Sequence, residues 1–147
     1  LVDSTILSEA TKPCPNPHVM KWLRDNEDEI AVDTIVLGEL RFGILLMDSG
    51  PRKKRLERWF ARGVGRLRTL PWKSAVGLRW AQLLAELRKK GKAIPSKDSM
   101  IAATALVNGL TVVSKNDRNF RATGVETLNP FRPKVQTPVQ AETASLC

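Results

Sequence analysis

The chain has 147 residues, of which 24 are lysine or arginine and 15 are aspartate or glutamate, giving a formal net charge of +9 at pH 7. Its 42% hydrophobic and 27% charged residues are ordinary for a globular protein; they exclude a collagen-like or wholly disordered chain, and the length fits one domain. Because it contains neither a run of about 18 uncharged apolar residues nor a basic leader followed by an apolar core, we expect no membrane-spanning helix and a cytoplasmic location.

The first part of the chain alternates predicted strands and helices. Leu1 and Val2 are typical of the end of a buried strand, and the sequence leaves open whether further residues of that strand precede them. Asn16 followed by Pro17 predicts a helix start, because asparagine caps helices and proline suits the first helical position. The next predicted elements are a strand at 30–32, a helix from Asp33 or Thr34 to about Met47, a basic helix from Arg52 to about Arg62 and a long helix from Ser74 to Lys90.

The second part continues the alternation. Ser96 is the predicted N-cap of a helix over 97–108, and β-prone runs follow at 110–114 and 125–128. Strands separated by helices favour a mainly parallel sheet covered on both faces, so we expect an α/β fold with three α/β/α layers. From Arg132 onward proline, glutamine, threonine and alanine replace the hydrophobic pattern. This predicts a folded domain over 1–131 and a flexible C-terminal tail over 132–147.

The positive charge is concentrated between Gly50 and Lys92. This segment contains 14 lysine and arginine residues and only two acids, whereas the rest of the chain has 10 basic and 13 acidic residues. Such segregation is typical of a protein that binds a polyanion, because each neutralised phosphate releases condensed counterions. The alternative is a solvated helix face whose charges serve solubility. The candidate RNA-binding residues lie at the start of the segment: Arg52, Lys53, Lys54, Arg55 and Arg58.

Three acids stand at the ends of predicted elements. Asp3 directly follows the first strand, Glu39 lies about one turn into its helix, and Asp98 lies in the first turn of the helix that begins at Ser96. Asp3 is also explained as a helix cap, and Asp98 as an acid that interacts favourably with the helix dipole. Glu39 is harder to explain in this way, because burying an acid among apolar neighbours costs free energy unless it has a partner. Because ligand sites in open α/β sheets lie outside the carboxyl ends of the strands, we expect the three acids to converge. Clustered carboxylates suit a hard cation such as Mg²⁺, and the single histidine excludes a His-rich metal site.

Four segments resemble motifs of the PIN-domain ribonucleases of the VapC toxin type. Residues 1–9 are similar to that family's first strand and turn, which usually read D-T-N or D-S-N, and residues 38–43 resemble its A-E-L-x-x-G helix. Residues 94–105 resemble its acid-plus-I-A-A-T-A helix, and 110–116 are similar to its L-x-V-V-T-x-N strand. The proline-rich segment 14–17 is closer to the FitB-like subgroup. Each motif alone is weak, but four in the right order at compatible spacing are specific, and the resemblance covers residues 1–131.

The resemblance implies the toxin of a toxin–antitoxin module, a homodimeric endoribonuclease that uses Mg²⁺ or, as a substitute, Mn²⁺ and is inhibited by a cognate antitoxin. Carried over by position, Asp3 and Asp98 are the principal metal ligands and Glu39 completes the cluster. Ser114 matches a family threonine or serine that hydrogen-bonds the first aspartate. The implied reaction is hydrolysis of RNA phosphodiester bonds by a metal-activated water, with the basic segment holding the RNA backbone.

Two features depart from the family pattern. Thr5 stands where the family has an asparagine after the first acid. The fourth acid falls at the position of Asn116 or of Asn119, and both are amides here. Asp117 lies between them and is a further candidate catalytic residue, whose reach depends on the loop. A weaker fourth ligand would lower metal occupancy, so that activity would need Mn²⁺ or high Mg²⁺.

Two other functions are compatible with part of the pattern. A catalytically weak or inactive PIN domain, acting as a nucleic-acid-binding or regulatory module, would keep the fold and the basic face. The replacements at Thr5, Asn116 and Asn119 favour it, and metal-dependent cleavage separates it from a ribonuclease. A phosphoryl-transfer enzyme or receiver-type switch would need a second acid two residues after Asp3, where Thr5 stands, and a less basic surface. We therefore expect a ribonuclease.

Overall fold

The structure, a computed structural model, describes residues 1–132; residues 133–147, which contain nearly all of the predicted tail, lie outside the described part. The helices are α1 (Ser4–Leu7), α2 (Pro17–Asp25), α3 (Thr34–Leu45), α4 (Pro51–Arg62), α5 (Ser74–Lys89) and α6 (Ser96–Asn108). The strands are β1 (Ala31–Asp33), β2 (Arg68–Leu70), β3 (Val112–Val113) and β4 (Thr127–Leu128). Short 3₁₀ segments cover Ser8–Thr11, Glu27–Glu29, Val64–Arg66 and Asp117–Thr123.

The sheet is parallel and is assembled around the first three residues. β1 pairs with β2, and β3 pairs with β4, both in parallel. Val2 forms a parallel bridge with Val113, and its N–H donates to the carbonyl oxygen of Ala31 at 2.9 Å. The segment 1–3 therefore joins the two strand pairs, with β1 on one side and β3 on the other. The predicted α/β fold with a mainly parallel sheet is confirmed.

Helices on the two sides of the sheet bury its strands and carry the polar residues to one edge. Fully buried core side chains come from nearly every part of the described chain; the largest are Phe120, Ile6, Leu83 and Ile101. On α5, Trp80 donates its indole N–H to the hydroxyl of Ser99 on α6 at 2.9 Å. Because Ser99 lies in the first turn of α6, this bond fixes the end of the helix that carries Asp98.

Most predicted caps are confirmed, and one is wrong. The side chain of Asn16 caps α2 by accepting from the N–H groups of His18 and Val19, and Asp33 caps α3. Ser96, in contrast, is the first residue of α6 and caps nothing with its side chain, because Pro95 occupies the N-cap position in an extended conformation with φ −54° and ψ 140°.

The strands are shorter than the β-prone runs that predict them. The predicted strand at 110–114 pairs only over β3, because Leu110 closes the turn that ends α6 by donating its N–H to the carbonyl oxygen of Ala105. Gly109, at φ +62°, makes the left-handed turn that this closure requires. The run at 125–128 likewise pairs only over β4. Within the described residues, no helix has the length and apolarity needed to cross a membrane.

Candidate active site

The carboxylate of Asp3 lies at the end of the central strand segment and is 5% exposed. Its Oδ1 accepts from the backbone N–H of Thr5 at 2.9 Å, from the Thr5 hydroxyl and from the N–H of Ile6, so Asp3 also caps α1. Its Oδ2 accepts from the hydroxyl of Ser114, which is the contact that the resemblance implies. The pKa of Asp3 is raised above its ordinary value because the carboxylate is buried. The hydrogen bonds from Ser114 and Thr5 offset part of this increase. These bonds fix the orientation of the carboxylate.

Glu39 links the two other acids through their neighbours in the sequence. It lies on α3, and its side chain is 22% exposed. Its Oε2 accepts from the hydroxyl of Ser4 at 3.1 Å, and its Oε1 accepts from Nζ of Lys97 at 2.9 Å. Ser4 directly follows Asp3, and Lys97 directly precedes Asp98. The structure therefore brings Asp3, Glu39 and Asp98 to one edge of the sheet from three separate elements.

Asp98 lies in the first turn of α6 and is partly buried. Its Oδ2 accepts from the side-chain amide of Asn119 at 2.7 Å. The pKa of Asp98 is raised above its ordinary value, chiefly by burial and further by the negative charge of Glu39. The hydrogen bond from Asn119 and the positive charge of Lys97 lower it in part. Of the two amides that could stand in the place of a fourth acid, Asn119 is thus the one whose side chain bonds an acid of the site.

Asn116 and Asp117 lie at the margin of this arrangement. Asn116 is exposed and bonds Ser114 through its backbone N–H. Asp117 accepts from the side-chain amide of Asn129 at 3.0 Å and forms ion pairs with Arg132 at 3.5 Å and Arg121 at 4.0 Å. In the described part of the chain, no hydrogen bond or ion pair joins Asp117 to the three acids of the site. The loop holds this candidate residue against the segment that follows β4.

A further buried acid lies near the site, although the sequence predicts it only as a helix cap. Asp33 is 1% exposed; its Oδ1 accepts from the N–H of Val36, whereas its Oδ2 has no hydrogen-bond partner in the described chain. The hydroxyl of Thr104, another neighbour, donates to a backbone carbonyl oxygen of its own helix. Burial raises the pKa of Asp33, and the charge of Glu39 raises it further. Its position in the sequence could have indicated this, because Asp33 ends β1 just as Asp3 ends the neighbouring strand segment, and ligand sites lie at such strand ends.

A groove of about 350 Å³ begins at the acidic edge and extends along α3 to α4. Its polar end contains Ser4, Thr5, Glu39 and Lys97. Its apolar part is lined by side chains of α3, of the turn that follows and of α4: Leu40, Ile44, Met47, Leu56 and Trp59. Gly43 also lines this part, and a Cβ at Gly43 would meet no atom within 4 Å. The groove can therefore accept an apolar segment beside the acids.

The donor set fits a hard divalent cation that keeps much of its water. Carboxylate oxygens are the ligands such ions prefer, and Asp33 brings a further buried carboxyl oxygen, Oδ2, that has no hydrogen-bond partner in the described chain. Within residues 1–132, no three His, Cys, Asp or Glu side chains lie close enough to hold an ion by themselves. Mg²⁺ usually keeps several waters and takes only one or two carboxylates, so the chemistry of the site and the ion agree.

Four of the five candidate RNA-binding residues lie exposed on α4: Arg52, Lys54, Arg55 and Arg58. Lys53 is different. Its ammonium donates to the carbonyl oxygens of Met47 at 2.9 Å and of Leu45 at 3.4 Å. It therefore satisfies carbonyl groups at the end of α3 and fastens the turn between the two helices.

Comparisons with known proteins match most of the chain to one family. The family model described as PIN domain matches residues 1–126. Over 135 residues the chain is 32% identical to Toxin FitB of Neisseria gonorrhoeae, a match that covers 89% of this chain and 97% of that protein. Over 138 residues it is 31% identical to VapC ribonuclease Y4jK of Sinorhizobium fredii, with 90% and 98% covered.

The fold is also similar to a solved toxin complex, described as the structure of FitAB bound to an IR36 DNA fragment. The TM-score is 0.86 at 29% sequence identity, and the match covers 92% of this chain and 97% of that chain. The similarity thus extends over more than nine tenths of the chain.

Proposed function

The chain belongs to the PIN domain family, and on that premise we propose that it is the toxin of a toxin–antitoxin pair, an endoribonuclease that hydrolyses RNA phosphodiester bonds. The observation that carries the proposal is the position of Glu39, which bonds Ser4 beside Asp3 and Lys97 beside Asp98. Glu39 lines the groove, and these two bonds connect it to the residues adjacent to Asp3 and Asp98. The names of the relatives, a toxin and a ribonuclease, support the same activity.

PIN-domain ribonucleases depend on divalent metal ions, and we propose Mg²⁺, with Mn²⁺ as a substitute, as the ion of this site. Asp3 and Asp98 would hold it, and Glu39 would complete the set. When bound, such an ion supplies charge neutralisation at the phosphate and activates water for hydrolysis. Ser114 and Thr5 keep the carboxylate of Asp3 oriented for this task through the bonds described above.

The test is cleavage of a panel of structured RNAs by the full chain without antitoxin, in Mg²⁺ or Mn²⁺ and again in EDTA. Asp98→Asn, purified identically, controls for contaminating ribonucleases. Cleavage that needs the metal and disappears in Asp98→Asn supports the proposal. Intact RNA with either metal, under conditions where the protein binds it, would count against the proposal.

That second result would favour a PIN domain that binds nucleic acid without cutting it. Specific observations favour this candidate: Asn119 and Asn116 bring amides rather than acids, and Glu39 is already paired with Lys97. Both weaken the attraction for a divalent ion. The cleavage assay therefore separates the two functions on the same samples.

The protein partner that we propose is a small antitoxin, since the similar solved structure is a complex. The groove offers it an apolar seat beside the acids, lined by Leu40, Ile44 and Trp59. An antitoxin segment lying there would place its own basic side chain against the carboxylates, in competition with the metal. Co-purification of the chain with the product of a neighbouring gene would test this assignment.

A homodimer and a cytoplasmic location complete the proposal. The exposed side of α3 carries Phe42, Leu45 and Leu46, with 59%, 54% and 70% of their surfaces accessible. Apolar side chains grouped in this way mark an interaction surface, and a second copy of the chain would cover them. Light scattering of the wild type and of Leu46→Glu would test the dimer. A cytoplasmic toxin would also share the compartment of its RNA substrate.

A further inference from the structure

Lys97 is the basic residue that lines the polar end of the groove, beside Glu39. Its Nζ is 2.9 Å from Oε1 of Glu39, and its side chain is 60% exposed. In the described chain, no other lysine or arginine pairs with Asp3, Glu39 or Asp98. The residue that precedes Asp98 thus brings a positive charge to the point where an RNA phosphate would meet the acids.

The position of Lys97 is poorly explained as a stabilising feature of the fold. It is the second residue of α6, where the helix dipole disfavours a cation. Its ion pair with Glu39 is accessible to solvent, and accessible pairs contribute little to stability because water and salt screen them. The long and flexible lysine stem lets the ammonium leave Glu39 when a stronger anion arrives.

An RNA phosphate is such an anion. It must approach three carboxylates, and its negative charge competes with that of Glu39 for the ammonium of Lys97. The ammonium released from Glu39 would then lie within reach of the same phosphate. We propose that Lys97 binds the scissile phosphate of RNA, exchanging its bond to Glu39 for a bond to a non-bridging phosphate oxygen. This inference rests on the proposed ribonuclease function and adds a substrate-binding residue to it.

The experiment uses the full chain as wild type, Lys97→Met, Lys97→Arg and Lys21→Met. Lys21 is a matched control, because it is exposed and ion-paired with Asp25 on α2, outside the groove. Fluorescence anisotropy with a short, labelled single-stranded RNA of mixed sequence is measured in EDTA over a range of salt concentrations. This readout needs neither cleavage nor a bound metal. Cleavage of the same RNA in Mn²⁺ is measured in parallel.

Lys97→Met is expected to bind the RNA about 3- to 10-fold more weakly and to reduce the slope of log affinity against log salt by about 0.7. Lys97→Arg, which keeps the charge, should bind like the wild type, and Lys21→Met should not change the slope. An unchanged affinity and slope in Lys97→Met would overturn the inference. So would faster cleavage by Lys97→Met with unchanged RNA binding, since Lys97 would then only compete with the metal.

The parallel assay separates this inference from the function on which it rests. If the wild type cuts RNA in Mn²⁺ and Lys97→Met does so with the same KM and RNA affinity, the ribonuclease stands and the role of Lys97 falls. If the wild type does not cut RNA, the ribonuclease proposal is wrong, and Lys97 cannot bind a scissile phosphate.

Discussion

The side-chain amide of Asn119 donates to Oδ2 of Asp98 across 2.7 Å. Asn119 lies in the 3₁₀ segment between β3 and β4, so this bond connects that segment to the first turn of α6. The amide of Asn119 orients the carboxylate of Asp98 by this hydrogen bond, but it adds no negative charge to the site. The acidic edge therefore attracts a cation less strongly than it would with a fourth acid at this position.

Replacing Asn119 with aspartate is expected to increase the affinity of the site for divalent ions. Two carboxylates would then face each other, which destabilises the metal-free protein and favours any cation that separates them. A thermal unfolding titration with Mn²⁺ measures the effect, because a ligand that binds only the folded state raises the Tm as its concentration exceeds the Kd. Asn116→Asp is the matched control, since Asn116 is exposed and its side chain contacts none of the acids. Equal responses of the two variants would show that the bond from Asn119 to Asp98 does not mark the metal site.

Asp117→Asn is expected to cleave RNA at about the wild-type rate, whereas Asp98→Asn should lose roughly 100-fold or more. The reason is that Asp117 bonds Asn129 and Arg132 rather than any acid of the groove. Its ion pairs are long, at 4.0 Å to Arg121 and 3.5 Å to Arg132, and both arginines are mostly exposed, so their loss should cost less than about 1 kcal/mol of folding free energy. Initial rates in Mn²⁺ and urea unfolding of both variants provide the comparison. A loss in Asp117→Asn as large as that in Asp98→Asn would mean that the loop moves and brings Asp117 into the site.

Local chemistry explains why much of this architecture was predictable from the sequence. The Asn16–Pro17 helix start and the glycine turn at Gly109 each depend on residues a few positions apart, and both are found where the sequence places them. Asp3, Glu39 and Asp98 were also predictable as a group, because Asp3 ends a strand segment and the other two lie on helices that begin at the edge where ligand sites of α/β sheets form.

The rest depends on contacts that the sequence pattern does not contain. Lys97 and Glu39 are 58 residues apart, and nothing in either local segment specifies their ion pair. Asp117 was left open because its partners, Arg132 and Asn129, are set by the path of the loop. Asp33 was explained locally as a helix cap, and only the structure shows that it is buried with an unpaired Oδ2.

Asp33→Asn is expected to change how stability depends on pH. Burial raises the pKa of Asp33 above its ordinary value of 3.8, so the folded protein holds this proton more tightly than the unfolded chain. The resulting stabilisation is fully present below the ordinary value and is lost as the pH rises through the raised one. Asparagine keeps a capping oxygen without the buried charge, so the variant should gain stability relative to the wild type as the pH rises from the acidic to the neutral range, reaching about 1–3 kcal/mol. Urea unfolding across that range measures it, with the exposed Asp25→Asn as control. A stability difference that does not change with pH would contradict the buried, ionising carboxylate.

Gly43→Leu is expected to weaken antitoxin binding without unfolding the toxin. Gly43 lines the apolar groove, and a Cβ there would meet no atom within 4 Å. A leucine at this position would therefore fill part of the groove rather than clash with the core. Replacing glycine within a helix also adds helix propensity, of roughly 0.5–1 kcal/mol. Gly38→Leu is the control, because Gly38 lies on the same helix with the same open surroundings but outside the groove lining. Calorimetric titration with the antitoxin should show weaker binding for Gly43→Leu alone; an equal loss in both variants would place the antitoxin elsewhere on α3.

Removal of exposed charge from α4 is expected to weaken RNA binding in a salt-dependent way. In the double variant Lys54→Ser/Arg58→Ser, each lost phosphate contact should reduce the slope of log affinity against log salt by about 0.7. Lys89→Ser/Lys90→Ser removes the same charge from the end of α5 and should leave the slope near that of the wild type if the RNA follows α4. Lys53→Met should differ from both, since Lys53 bonds the carbonyl oxygens that end α3 and its loss should lower the Tm rather than the slope. Anisotropy titrations with labelled RNA in EDTA measure these slopes. Equal slopes for the two double variants would mean that the basic segment attracts RNA only through its total charge and that the RNA does not follow α4.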